Sequence, residues 1–266
     1  MLRYAALNHE LQKVIRDVYK SGSNVILDYA RENCKKHEAH FISEVNMSTM
    51  KSVPGSMFAL KMTSFGSRES PHFAAGHIKK LIQHAIKNDC QVCIDAEDVV
   101  YSTEMYNMML HFNRHEPHVF KTYQMYRSSA LKELELDILA AGRQGIHLGV
   151  KLVRGAYLGK QDGLLPNKAA VDKSFREGLN MSLGAHENVH TLIATHNSED
   201  IKHARTCPHN RYKIAQLLGM GEDFPDYRYV PFGSLGELTP YLFRRFIERI
   251  KSVSYTHLTL PTILRV

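Results

Sequence analysis

Short apolar segments recur along the chain, and a longer amphipathic stretch separates each one from the next. The apolar segments consist mainly of aliphatic and β-branched residues, which is typical of strands buried on both faces. They cover residues 24–30, 57–65, 90–98, 118–126, 149–157, 190–197, 213–220 and 227–233. The stretches between them, for example 74–88 and 128–143, place apolar residues at helical spacing. This alternation predicts an α/β fold, a closed (β/α)8 barrel of the TIM type rather than an open sheet.

Six of the eight predicted strands end in polar or reactive side chains. These are Lys61, Asp95 with Glu97, Gln124, Lys151 with Arg154, Thr195 with His196, and Tyr229. Strand ends are also where a chain meets water, which would account for one or two such cases. Six cases favour a functional site at the carboxyl-terminal rim, where the active sites of barrels form.

Two adjacent arginines, Arg244 and Arg245, interrupt an apolar segment after the last predicted strand. At helical spacing they share one face with Tyr241 and Glu248. A guanidinium group is costly to bury without an anionic partner, so this pair indicates a pocket for a small carboxylate. The alternative is that both side chains extend past the edge of the core to solvent.

The helix that would carry these arginines has two possible starting points. Ser234 and Glu237 have the spacing of a capping box, which predicts a start near Leu235. Alternatively, Thr239 caps the helix and Pro240 takes its first position. Both starts place the arginine face near the top of the barrel.

The composition is ordinary for a globular protein, with 44% hydrophobic and 23% charged residues, and no apolar run is long enough to span a bilayer. The net charge is +7, but scattered lysines and arginines argue against nucleic-acid binding and suggest at most weak, peripheral attraction to anionic membranes. Cys90 and Cys93 lack a second pair for zinc, so we expect buried thiols in a reducing compartment. Residues 1–20 resemble neither a signal peptide nor a transit peptide.

The sequence lacks the glycine-rich dinucleotide fingerprint, the Walker loop and the serine-nucleophile motif. His115 and His118 lie in a predicted loop without zincin spacing, so we expect no metal site there. The remaining cationic and hydrogen-bonding side chains suit a cofactor with phosphates and a flat polar ring, whereas Lys61 and the two arginines suit a substrate carboxylate. Residue chemistry alone leaves open a barrel lyase or aldolase with Lys61 or Lys151 as a Schiff-base amine.

Seven short motifs occur in an order that resembles the proline dehydrogenases. They are IDAED (94–98), KTYQMY (121–126), KLVRGAY (151–157), ATHN (194–197), QLLGMGE (216–222), YVPFG (229–233) and YLFRRFIE (241–248). The resemblance runs from Asn24 to Glu248 and is specific because all seven motifs are in register. Proline dehydrogenases are FAD-dependent (β/α)8 barrel enzymes. They oxidise L-proline to Δ1-pyrroline-5-carboxylate by hydride transfer to flavin N5, the first step of proline catabolism.

The resemblance implies roles for the residues at matching positions. The catalytic residues would be Lys61, Asp95, Tyr229, Arg244 and Arg245, with Lys61 and the arginines on the substrate carboxylate. The residues packed around the substrate ring would be Ala156, Tyr157, Leu217, Tyr229 and Tyr241. FAD would contact Gln124, Lys151, Arg154, Thr195, His196 and Glu248, with Lys151 near the flavin N5 edge. Because Tyr229 crowds the carbon that is hydroxylated in hydroxyproline, proline is the expected substrate.

The resemblance also divides the chain. Residues 1–23 form an N-terminal helical segment, 24–250 the barrel, and 251–266 a tail that does not match the family and could be artefactual, leaving an inactive fragment as an alternative. No aldehyde dehydrogenase domain accompanies the barrel, so the chain resembles the monofunctional type. The motifs resemble those of eukaryotic members, which work at the mitochondrial inner membrane and pass electrons to ubiquinone.

Overall fold

A closed parallel barrel forms the centre of the protein in the computed structural model, which describes residues 4–97, 101–155, 163–221 and 225–243. The described strands are β1 (Ala6–Leu7), β2 (Asn24–Tyr29), β3 (Met57–Lys61), β4 (Gln91–Asp95), β5 (Val119–Gln124), β6 (Leu148–Val153), β7 (Val189–Ala194), β8 (Tyr212–Leu217) and β9 (Tyr227–Gly233). Strands β2 to β9 pair in sequence order, and β9 pairs with both β8 and β2 to close the ring. The eight predicted segments correspond to these eight strands, and the predicted barrel is confirmed.

The short strand β1 was not predicted. It pairs in parallel with the carboxyl end of β9, where Ala6 lies opposite Phe232 and Leu7 opposite Gly233. Strand β9 therefore has three neighbours: it pairs with β8 through residues 227–229, and with β1 further along, through residues 232–233, in addition to its pairing with β2.

Helices alternate with the strands around the outside of the barrel. They are α1 (Leu11–Lys20), α2 (Ala39–Ser52), α3 (Pro71–Lys87), α4 (Ser102–Phe112), α5 (Ala130–Gln144), α6 (Lys168–Gly184), α7 (Ser198–Arg205) and α8 (235–243), with 3-10 turns at Asn8–Glu10, Lys36–Glu38 and Met62–Phe65. Side-chain caps fix several starts: Asn167 accepts from Ala170 N at 2.9 Å, and Asn197 from Asp200 N at 3.0 Å. Among the described residues, no helix combines the length and the apolar character that crossing a bilayer requires.

Alternation along the strands separates an outer face from the barrel interior. The outer side chains, such as Val25 and Leu27, pack beneath the helices in the main core. The inner side chains Ile26, Met57, Cys93 and Phe120, with others, form a separate apolar layer. Further along the same inner faces come the polar residues Asp28, Lys61, Asp95, Gln124 and Lys151. The strands thus deliver an apolar floor and a polar upper layer, which lies at their carboxyl ends.

A buried ionic cluster joins β5 to α5 on the outer face. Lys121 is 2% exposed, and its Nζ lies 2.6 Å from Glu133 Oε1 and 2.6 Å from Asp137 Oδ2. Tyr123 donates its hydroxyl hydrogen to the same Asp137 oxygen at 2.7 Å. Two carboxylates therefore share one buried ammonium group, which fixes the helix against the strand.

Candidate active site

Asp95, at the end of β4, is the centre of the polar layer. Its Oδ1 pairs with the ammonium group of Lys151 from β6, and its Oδ2 accepts a hydrogen bond of 2.8 Å from Tyr229 of β9. The Lys151 Nζ also lies 5.0 Å from the centre of the Tyr229 ring. Three strands, none of which are neighbours in the ring, thereby bring together three of the predicted site residues.

The charges of this cluster are set by burial and by neighbouring groups. Burial acts to raise the pKa of Asp95, but the ammonium groups of Lys151 and Lys61 outweigh it and hold the pKa below its ordinary value. Burial lowers the pKa of Lys151, and Asp95 more than reverses this effect. Burial, with Asp28 and Asp95 nearby, raises the pKa of Tyr229 well above 10. The site therefore holds an ionised carboxylate, a protonated amine and a neutral phenol at neutral pH.

Lys61 at the end of β3 is the fourth predicted residue in this layer. Its ammonium group pairs with Asp28 of β2, and its Nζ lies 3.9 Å from Glu32 Oε1. Burial acts to lower the pKa of Lys61, but Asp28, Asp95 and Glu32 raise it above the ordinary value. The sequence reasoning missed Asp28, although an aspartate two positions after Ile26 on an inward face was a usable signal.

Glu97 extends the site above Asp95. It is 5% exposed, accepts a hydrogen bond of 2.9 Å from Thr63 N, and accepts a second from the Thr63 hydroxyl. Burial raises its pKa to about 7, in spite of these hydrogen bonds. The Glu97 side chain links the loop after β4 to the turn after β3. Because its pKa is close to 7, small pH changes around neutrality alter its charge.

The ends of β5, β6 and β7 carry a second polar group of residues. Gln124 Nε2 donates to Ala96 O at 3.3 Å. Arg154 donates from Nη1 to Thr195 Oγ1 and from Nε to Asp172 Oδ1, both at 2.8 Å, and it pairs with Asp200.

The two aspartates, Asp172 on α6 and Asp200 on α7, hold the Arg154 guanidinium at the rim of the barrel, and sequence reasoning missed both of them. His196 Nε2 accepts a hydrogen bond of 3.1 Å from Leu217 N and ties the end of β7 to that of β8. The structure thus places Leu217 beside this second polar group.

This donor set fits a polar, anionic cofactor. The buried side chains of Gln124 on β5, Lys151 on β6 and Thr195 directly after β7 offer N–H and O–H donors. Gly155, with φ +124°, lies so close to Tyr126 that a Cβ atom would be 2.2 Å from the ring, and the backbone here leaves no room for a side chain. The buried N–H and O–H donors suit a flat heterocycle with phosphates, whereas the Gly155 position is filled by the Tyr126 ring.

A cavity of about 190 Å³ opens between the loop after β2 and helix α8. It is lined by Asp28, Ala30, Glu32, Asn33, Glu237, Pro240 and Tyr241. Tyr241, predicted to contact substrate, is 9% exposed and forms part of the wall. The predicted site residues Ala156, Tyr157, Arg244, Arg245 and Glu248, and the tail 251–266, lie outside the described residues.

Comparison with known proteins agrees with the motifs and the barrel. The sequence profile of a family described as Proline dehydrogenase matches residues 11–257. Proline dehydrogenase 1, mitochondrial, of Caenorhabditis elegans is 30% identical over 202 residues, which cover 62% of this chain and 33% of the relative. The human protein of the same name is 29% identical and covers 66% and 35%. Hydroxyproline dehydrogenase of Xenopus laevis is 29% identical and covers 82% and 55%.

Two solved structures share the fold. Proline utilization A of Bdellovibrio bacteriovorus superposes with a TM-score of 0.80 at 18% identity, covering 91% of this chain and 32% of that one. A mutant of the Bradyrhizobium japonicum protein gives 0.77 at 18% identity, covering 92% and 30%. The chain spans 33% to 55% of the length of the curated relatives named above. Because the family profile matches nearly the whole chain, this chain belongs to the proline dehydrogenase family.

Proposed function

We propose that this chain oxidises L-proline to Δ1-pyrroline-5-carboxylate with FAD as cofactor. The observation that carries the proposal is the Asp95–Lys151–Tyr229 cluster, in which Lys151 is buried and the other two residues are partly buried, beside Lys61 at the carboxyl-terminal rim of the barrel. Asp95, Lys151 and Tyr229 are motif positions; with Lys61 they come from four different strands and meet in one polar layer above an apolar floor.

The substrate carboxylate would bind through Lys61, Arg244 and Arg245. Lys61 donates to Asp28 and its Nζ lies 3.9 Å from Glu32 Oε1, so a bound carboxylate would share this ammonium with both acidic side chains. A hydrogen bond between charged partners contributes ~1.5–3 kcal/mol, and three such donors suffice to orient a small acid. Ala156, Tyr157, Leu217, Tyr229 and Tyr241 would pack around the pyrrolidine ring and exclude water from it.

The cofactor would be held by Gln124, Lys151, Arg154, Thr195, His196 and Glu248. When bound, a flavin accepts a hydride from the substrate carbon next to the ring nitrogen. The protein's own contribution is to hold donors in fixed positions: Asp95 orients the Lys151 ammonium, and Asp172 and Asp200 orient Arg154. We assign no described residue as the general base for the proton on the substrate amine. In this proposal water accepts that proton.

Two other functions are less well supported. A lyase with a Schiff-base lysine needs a neutral amine. Burial alone would lower the pKa values of Lys61 and Lys151, but Asp28 and Asp95 raise them above the ordinary value, so both amines are protonated. Hydroxyproline oxidation is suggested by relatives at 28–29% identity. The Tyr229 side chain, fixed on Asp95, favours the smaller substrate.

Relatives named as mitochondrial support a mitochondrial location, and we extend this to the inner membrane or matrix. The electron acceptor would then be ubiquinone, reached through peripheral association with the membrane. Quinone reduction by the purified protein with proline as donor tests this part separately.

The function is tested by the visible absorbance of the purified protein under anaerobic conditions. We expect a flavin band that L-proline bleaches and D-proline does not, with FAD released on denaturation. A protein that lacks the band, or whose band proline leaves unchanged, contradicts the proposal. A covalent adduct on Lys61 or Lys151 after borohydride treatment with a carbonyl substrate would favour the lyase.

A further inference from the structure

Glu237, in the first turn of α8, contacts residues outside its own helix as well as the capping residue. Its Oε1 accepts a hydrogen bond of 2.6 Å from the Tyr29 hydroxyl, and its Oε2 accepts one of 2.7 Å from Ser234 N. Arg31 Nη1 lies 3.7 Å from Oε1. One carboxylate thus closes the capping box of α8 and also joins this helix to the end of β2 and the loop that follows.

The partners of Glu237 belong to the strand end that also controls Lys61. Tyr29 is the last residue of β2, and the residue before it, Asp28, pairs with the Lys61 ammonium group inside the barrel. Neighbouring strand residues point to opposite faces, so β2 holds Lys61 with one residue and α8 with the next.

The backbone near Glu237 is shaped to admit this contact. A Cβ atom on Gly233 would lie 2.9 Å from Glu237 Oε2, and the glycine therefore leaves space for the carboxylate. Burial acts to raise the pKa of Glu237, but hydrogen bonds from Tyr29 and Ser234 outweigh it and lower the pKa below its ordinary value. The side chain is consequently an ionised acceptor across the neutral range.

Movement of α8 would change the cavity beneath it. Glu237 and Tyr241 lie four positions apart, on the same face of the helix, and both line the cavity opposite Asp28 and Glu32. Leu238 is fully buried and anchors α8. This apolar contact alone does not fix the rotation of α8 about its axis or its distance from the barrel rim.

We propose that Glu237 is a positioning residue: by joining α8 to Tyr29 and Arg31 it sets the place of Tyr241 and the width of the cavity that receives the substrate. This inference rests on the proposed oxidation of proline for its kinetic part only. The positioning of α8 by Glu237 does not depend on which reaction the protein catalyses.

The test compares Glu237→Ala, Glu237→Gln and Tyr29→Phe in the flavin-loaded enzyme. We expect the alanine variant to raise KM for proline about tenfold with a much smaller change in kcat, because a charged acceptor is lost outside the reacting centre. Glutamine keeps one acceptor for Tyr29 and should restore most of the affinity. Tyr29→Phe should raise KM, and adding it to Glu237→Ala should have little further effect.

Two matched controls separate positioning from helix capping and from surface charge. Ser234→Ala removes the other capping-box side chain, whose Oγ accepts from Glu237 N at 3.4 Å, and leaves Tyr29 in place. Glu38→Gln removes an ion pair with the same Arg31 but lies on the 3-10 turn, away from α8. We expect both controls to keep the wild-type KM, and a rise equal to that of Glu237→Ala in either one overturns the proposal.

Hydrogen exchange of the peptide 235–243 supplies a measurement independent of activity. Glu237→Ala and Tyr29→Phe should exchange faster there than the wild type, while the peptides of β4 and β6 remain protected. Unchanged exchange together with unchanged KM refutes the inference. If the wild-type protein does not act on proline but the exchange result holds, the proposed function fails and the positioning of α8 by Glu237 stands. If Glu237→Ala fails to fold, Tyr29→Phe gives the decision.

Discussion

Tyr229 and Asp95 meet across the barrel interior, where the tyrosine hydroxyl of β9 donates to Asp95 Oδ2 at 2.8 Å. Strands β9 and β4 are not neighbours in the sheet, so this bond fixes the tyrosine ring relative to the far wall. The ring cannot swing away from this position without breaking a hydrogen bond to an ionised carboxylate.

Replacing Tyr229 should therefore change substrate choice. With Tyr229→Ser we expect the ratio of kcat/KM for trans-4-hydroxyproline over proline to rise about tenfold, because bulk beside the ring carbon is removed. Tyr229→Phe is the matched control, since it removes the hydroxyl group and keeps the bulk. Equal rises in both variants would show that the hydrogen bond, and not the ring, determines the choice, and efficient hydroxyproline turnover by the wild type would contradict the assignment.

Arg245→Met should separate substrate binding from cofactor binding. We expect proline affinity to fall by about a hundredfold, because in the proposed role of Arg245 the substrate carboxylate would lose a charged partner, while the flavin stays bound. Proline titration of the flavin absorbance measures the first quantity and the ratio of flavin to protein measures the second. Saturation by proline at wild-type concentrations would refute the role of Arg245.

Lys121→Met should destabilise the barrel strongly. The substitution leaves Glu133 and Asp137 without their shared ammonium group, and removing one partner of a buried pair costs about 3 kcal/mol. Lys132→Met is the control, because Lys132 pairs with Glu135 on the surface of the same helix and is 67% exposed, and it should change the free energy of unfolding by less than about 0.5 kcal/mol. Urea denaturation measures both, and similar losses in the two variants would contradict this account.

Glu97 should make stability fall as the pH rises. Its pKa is about 7 in the folded protein, because of burial, against an ordinary value of 4.5. Between these values the folded protein holds a proton that the unfolded chain has released, so the free energy of unfolding declines with rising pH. Glu97→Gln should remove this decline relative to the wild type, whereas the exposed control Glu69→Gln should not.

His190 should act in the opposite sense at the other end of the barrel. Burial, Arg211 and His147 lower its pKa to about 4 from an ordinary value of 6.5, and Arg211 Nη1 lies 3.5 Å from its Nε2. Between pH 4 and 6.5 the unfolded chain takes up the proton first, and stability is lost as the pH falls. Denaturation of His190→Gln at pH 5 and pH 8 should show a smaller loss than the wild type, and exposed His72→Gln an unchanged one.

The barrel could be predicted because its eight strands are largely buried on both faces. A strand of this kind needs apolar residues at nearly every position, and such continuous apolar segments are visible in the sequence. Strand β1 escaped because Ala6 and Leu7 are too few to show a pattern, and only their pairing with β9 defines them as a strand. Of the two starts that the sequence left open for α8, the structure shows the one given by the Ser234–Glu237 capping box, at residue 235, and Pro240 lies within the helix rather than at its first position.

The site was predictable as far as its residues follow strand ends. Asp95, Lys151 and Tyr229 belong to motifs, and the structure brings them together. The partners Asp172 and Asp200 lie on helices 18 and 46 positions from Arg154. In the sequence, a lone aspartate on a helix cannot be told from a solvent-exposed charge. Its partner is determined by the tertiary fold, and the separation between the two residues follows no recognisable sequence pattern.

Acidic and basic side chains alternate around the inner wall, with Asp28 against Lys61 and Asp95 against Lys151. Within this quartet the formal charges cancel, so an arriving zwitterion experiences little long-range pull from it in either direction. Under the proposed function, selection among amino acids would depend on short-range hydrogen bonds, and the part of the substrate affinity that these four groups govern should vary little with ionic strength.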